Sequence, residues 1–102
     1  MPTFIMISRH SVENCPMNNE KTKKLVLDVT SKLGELANKH GIKIVGSWTV
    51  IPEHLMIQVY EAPSLETFLK LQREPEIMKW IANNTTEIKL AMTAEESIKL
   101  LK

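Results

Sequence analysis

The chain has 102 residues, 13 Lys and Arg against 12 Asp and Glu, and 43% hydrophobic side chains. That length suits one domain, residues 1–102, with a single core and no need of disulfides; the near-neutral charge offers nothing to nucleic acid. No apolar run approaches the roughly 20 residues that cross a bilayer, no charged-then-apolar leader opens the chain, and Cys15 has no second cysteine to pair with, so a reducing cytoplasm and a free thiol are expected.

Thr3 to Arg9 is a short apolar run with β-branched residues, too short for a helix, and is expected to form a buried strand. Arg9-His10-Ser11-Val12-Glu13-Asn14-Cys15-Pro16 follows, bringing a histidine and the sole cysteine close together before the next element. From Asn18 to His40, Leu25, Val26, Val29, Leu33, Leu36 and Ala37 recur at steps of three and four, the spacing of a helix with one buried stripe. Asn14 or Cys15 is available to cap it, and Gly41 suits its left-handed exit. Ile42 to Val50 and His54 to Glu61 are β-rich runs on either side of Ile51-Pro52-Glu53, a hairpin turned by proline. Ser64 caps a helix over Leu65 to Arg73, and Pro75 begins a second piece through Ala82, so a kinked or broken helix is predicted. Asn83-Asn84 turns the chain into a strand over Thr85 to Met92, and Thr93-Ala94-Glu95-Glu96 is a capping box for a short terminal helix.

This order contains two strand-helix-strand halves and predicts an α+β, ferredoxin-like βαββαβ fold. Its four-stranded antiparallel sheet carries both long helices on one face, with a short C-terminal helix added. The strand residues Ile5, Ile7, Ile42, Ile44, Val45, Leu55, Ile57, Val59, Ile88 and Leu90 exceed what one helical layer covers. A self-associating open face, and hence a homodimer, is expected.

Gly41-Ile42-Lys43-Ile44-Val45-Gly46-Ser47-Trp48, then His54 to Tyr60, then Glu61-Ala62-Pro63-Ser64 leading into a helix make the chain similar to the dimeric α/β-barrel superfamily, particularly its small bacterial and archaeal members. The resemblance spans nearly the whole chain and implies a sheet-to-sheet dimer. Relatives of this fold include cofactor-independent monooxygenases, haem-degrading enzymes and lactone isomerases. None of their functional motifs matches this chain position by position, so no catalytic residue is carried over.

Alternation of strand direction predicts that His10, Cys15, Trp48, His54 and Trp80 share one end of the domain, while His40, Tyr60 and Glu61 lie toward the other. The leading functional reading is a pocket for a small apolar or aromatic molecule. It needs no cofactor, and His10 and His54 supply monooxygenase- or isomerase-like acid/base chemistry beside Cys15. Arg9, Trp48, Gln58, Tyr60 and Trp80 are the candidate ligand-binding residues. A second reading makes His10, Cys15 and His54 ligands of zinc, copper or iron. A third makes the chain a non-catalytic dimeric module. Each residue taken singly also has a simple packing role: cysteine is commonly buried, and tryptophan commonly anchors a core or interface.

Overall fold

The chain is described from a computed structural model covering residues 1–102. Strand β1 (Thr3–Arg9) alternates buried Phe4, Met6 and Ser8 with half-buried Ile5 and Ile7, the period of two that separates the faces of a sheet. It pairs antiparallel with β3 (Leu55–Glu61) on one side and β4 (Thr85–Ala91) on the other, and β3 pairs with β2 (Lys43–Val50), giving the order β2-β3-β1-β4. This is the ferredoxin-like arrangement expected. The strands are joined by helix α1 (Glu20–Lys39), a 3-10 turn at Ile51–Glu53, and helices α2 (Leu65–Gln72) and α3 (Pro75–Ala82); α4 (Ala94–Leu100) follows the sheet.

Capping chemistry sets the helix ends. Helix α1 starts two residues later than the periodicity suggests, and its cap is Asn19 rather than Asn14 or Cys15. The Asn19 side chain accepts a hydrogen bond from Thr22 N at 3.0 Å. At the other end Gly41 takes a φ of +69° while Ile42 N donates to Ala37 O at 2.9 Å, a left-handed exit that glycine adopts without steric cost. The break between α2 and α3 falls where Pro75 forbids helical backbone at the residue before it, and Glu74 is extended at φ −61°, ψ 136°.

Helices α1, α2 and α3 cover one face of the sheet. Phe4, Tyr60 and Phe68 form the centre of the core, with Phe4 and Phe68 stacked at 4.8 Å and Tyr60 meeting Phe68 edge-on at 5.2 Å. A second cluster of Val29, Ile77 and Trp80, backed by Val26 and Met56, ties α1 and α3 to the hairpin end of the sheet.

The opposite face carries Ile5, Ile7, Ile57, Val59 and Trp48, brought together by the cross-strand register. A bulge at Val45 turns Gly46 onto this face, where the Trp48 ring lies so close that a Cβ would sit 2.6 Å from it. Ile88 and Leu90, two of the apolar strand residues, do not belong to this patch. The register sets them opposite Met6 and Phe4, on the helical side, while Glu87 and Lys89 take the open face of β4. Every residue of α4 is exposed, and the molecule is 51 Å in its longest dimension.

Candidate functional site

Three backbone devices bring the chemical groups together. His54 ends the 3-10 turn in the left-handed region, φ 53° and ψ 43°, with its N–H bonded to Ile51 O at 3.2 Å. His10 follows β1 directly and donates its backbone N–H to His54 O at 3.0 Å, which couples the two histidines. Cys15 lies in a folded loop whose turns are closed by Cys15 N to Val12 O at 3.2 Å and by Asn18 N and Asn19 N to Cys15 O, both at 2.9 Å.

The result is a compact triad. One ring nitrogen from each of His10 and His54 and the Cys15 sulfur all lie within 4.8 Å of one another, and the two imidazole rings meet edge-on with centroids 5.3 Å apart. Cys15 is buried, while both histidines are partly buried. His10 Nε2 and His54 Nδ1 are shielded from solvent without a hydrogen-bond partner. Burial first, and the neighbouring His54 second, hold the His10 pKa below its ordinary value of 6.5. His10 is therefore neutral at pH 7, with a lone pair available to accept a proton or bind an ion.

These groups line a pocket of about 300 Å³ whose other walls, Thr49 apart, are the apolar Pro16, Met17, Val26, Val50, Ile51, Leu55, Met56 and Trp80. The volume lies at the small end of ordinary ligand sites, and the balance of many apolar walls with a few convergent polar atoms is typical of them. A wider polar groove of about 520 Å³ lies along Asn14, Lys21, Lys24, Asp28 and Lys79, but it is shallow and has few apolar walls to desolvate a ligand.

Of the residues singled out from the sequence, His10, Cys15, His54 and Trp80 meet in this pocket. Trp48 lies on the open face of the sheet, because its register partner is Ile57. Arg9 is outside the pocket and forms an ion pair with Glu87 of β4. Gln58 and Tyr60 share the helical face, but Tyr60 is sealed into the aromatic core, where burial pushes its phenol pKa up, and Gln58 is buried between α1 and Trp80. Helix α1 begins five residues beyond Cys15, and its Thr22 N–H is taken by Asn19. Cys15 therefore stands apart from the helix start.

Val26 and Met56 were not foreseen as pocket walls. Their spacing marks them as core, and only the gap between Trp80 and the hairpin turns them toward a cavity. Met17 and Leu55 gave no signal beyond their apolar character.

The molecule belongs to the ferredoxin-like class of α+β folds, and a solved structure agrees. Protein Atu4242 from Agrobacterium tumefaciens, known from an X-ray crystal structure, aligns with a TM-score of 0.61 over 92% of this chain and 94% of its own, at 19% identity. Identity that low shows a shared fold alone. No family model and no curated protein matches the chain.

Proposed function

We propose that the protein binds a small apolar or aromatic molecule in the pocket at the hairpin end of the sheet, and that His10 and His54 meet the polar atom of that molecule to orient it or move a proton. What supports this reading is the convergence of two imidazoles and a thiol on a cavity of about 300 Å³ whose other lining, Thr49 apart, is apolar. A ligand with one polar edge pairs with an imidazole while its flat apolar body displaces water from the rest. A neutral His10 is the natural proton acceptor of the pair, and Cys15 completes the wall as a thiol in a reducing compartment.

The working unit in this reading is a homodimer joined through the open face of the sheet. It is supported by Ile5, Ile7, Ile57 and Val59 lying side by side on a face no helix covers, with Trp48 there 55% exposed.

Native mass spectrometry of untagged protein tests the binding reading. Retention of a small molecule is expected, and Val26→Phe, which fills the cavity, should abolish it without unfolding the protein. Equal retention by Val26→Phe would place the ligand elsewhere.

A further inference from the structure

We propose that His10, Cys15 and His54 form a three-ligand site for a single thiophilic transition-metal ion, zinc(II) or copper(I), whose open fourth position faces the apolar pocket. The inference rests on the pocket reading above for what occupies that fourth position, but the ligand set stands on its own geometry.

Two imidazoles and one thiol have candidate donor atoms within 4.8 Å of one another. In a tetrahedral zinc site, with Zn–N near 2.0 Å and Zn–S near 2.3 Å, two nitrogens and one sulfur are separated by about 3.3–3.5 Å. Closing the triangle from at most 4.8 Å therefore brings a pair of donors together by up to about 1.5 Å, within the reach of small χ adjustments shared between two side chains. The backbone requires no rearrangement, because turns and the His10 N to His54 O hydrogen bond at 3.0 Å already hold the three positions.

The chemistry of the donors narrows the ion. No carboxylate lines the pocket, so the oxygen ligands that calcium and magnesium need are missing, whereas nitrogen and sulfur suit zinc and copper. Met17 and Met56 add polarisable thioethers to the same wall. Each imidazole also has a buried ring nitrogen without a hydrogen-bond partner, His10 Nε2 and His54 Nδ1, and an ion bound through those nitrogens removes that cost. Coordination converts the Cys15 thiol to thiolate and releases its proton to solvent, so affinity rises with pH. In the loaded protein the histidine lone pairs are held by the ion, and a bound molecule meets the open coordination position instead of a free imidazole.

The test uses the full chain, stripped of metal by a chelator. Cobalt(II) is titrated as a spectroscopic probe for the zinc geometry, and copper(I) is titrated anaerobically in competition with a chromogenic chelator. The expected result is one equivalent of metal, a thiolate-to-cobalt charge-transfer band, and a raised wild-type melting temperature. Cys15→Ser should abolish the band, and His54→Asn, which tolerates the left-handed backbone, should weaken binding by more than about tenfold. His40→Asn, away from the three ligands, should leave metal stoichiometry and affinity unchanged. Absence of binding to wild-type protein by both ions, or binding unchanged in Cys15→Ser and His54→Asn, overturns the proposal; the wild-type titration needs no variant to fold. If metal fails to bind but small aromatics still occupy the pocket, the metal site alone falls. If metal binds and aromatics do not, the pocket reading falls and the metal site stands.

Discussion

At the scale of single residues, His54 joins conformation to chemistry. It holds a left-handed backbone that ordinary side chains adopt at a cost of about 1–2 kcal/mol, with histidine and asparagine among the better tolerated. Denaturant unfolding should therefore show His54→Val destabilised by about 1–2 kcal/mol and His54→Asn close to wild type. The sequence places His54 after a proline turn but says nothing of its positive φ; the tight closure of the 3-10 turn imposes that. His10 makes a separate prediction. Its pKa lies below the ordinary 6.5, so the unfolded chain takes the proton more readily than the folded one. This contribution to stability is full above about pH 6.5 and declines as the pH falls through that value, and His10→Gln should flatten this part of the stability–pH curve. An unchanged curve would mean that the histidine is not desolvated.

At the scale of elements, sequence and structure agree where local rules decide the outcome. Ser64 and Thr93 cap α2 and α4 as their motifs indicate, accepting from Thr67 N and Glu96 N, and Pro75 divides the second helical region. The start of α1 was not readable because Asn14, Asn18 and Asn19 are chemically equivalent caps. The turns closing on Cys15 O select Asn19 among them. Asn19→Ala should cost about 1 kcal/mol in denaturant unfolding, while Asn14→Ala should cost far less. At the other end of α1, Lys39 and His40 both reach Glu74, at 3.0 and 2.7 Å, joining that helix to the α2–α3 break. Hydrogen bonds from His40 and then Lys39 hold the Glu74 carboxyl below its ordinary pKa, so this contribution is present at neutral pH and is lost as acid protonates the carboxylate. Glu74→Gln should reduce the acid sensitivity of unfolding.

At the scale of the whole molecule, strand direction made half of the site legible. It placed His10, Cys15, His54 and Trp80 at one end before any side chain was positioned, and those four line one pocket. It could not separate the two faces of the sheet for Trp48, because the bulge at Val45 changes the alternation of β2 between Ile44 and Gly46. Nor does the sum of apolar strand residues say which face each takes: the register with β1 puts Ile88 and Leu90 on the helical side. If the remaining patch joins two copies, Ile7→Lys should convert a dimer to a folded monomer in light scattering, since a charge at its centre is desolvated only at heavy cost. A monomeric wild type at micromolar concentration would contradict the dimer.

The central claim is that the pocket behind His10, Cys15 and His54 is where this protein meets its ligand. The chain's two tryptophans provide a direct test, since Trp80 lines that pocket and Trp48 lies on the opposite face of the sheet. In a proton–nitrogen correlation spectrum each indole N–H gives its own resonance, to be followed during titration with a panel of small planar aromatics. Saturable displacement of the Trp80 resonance with Trp48 unmoved is expected; displacement of Trp48 alone, or of neither across the panel, rules the pocket out as the ligand site.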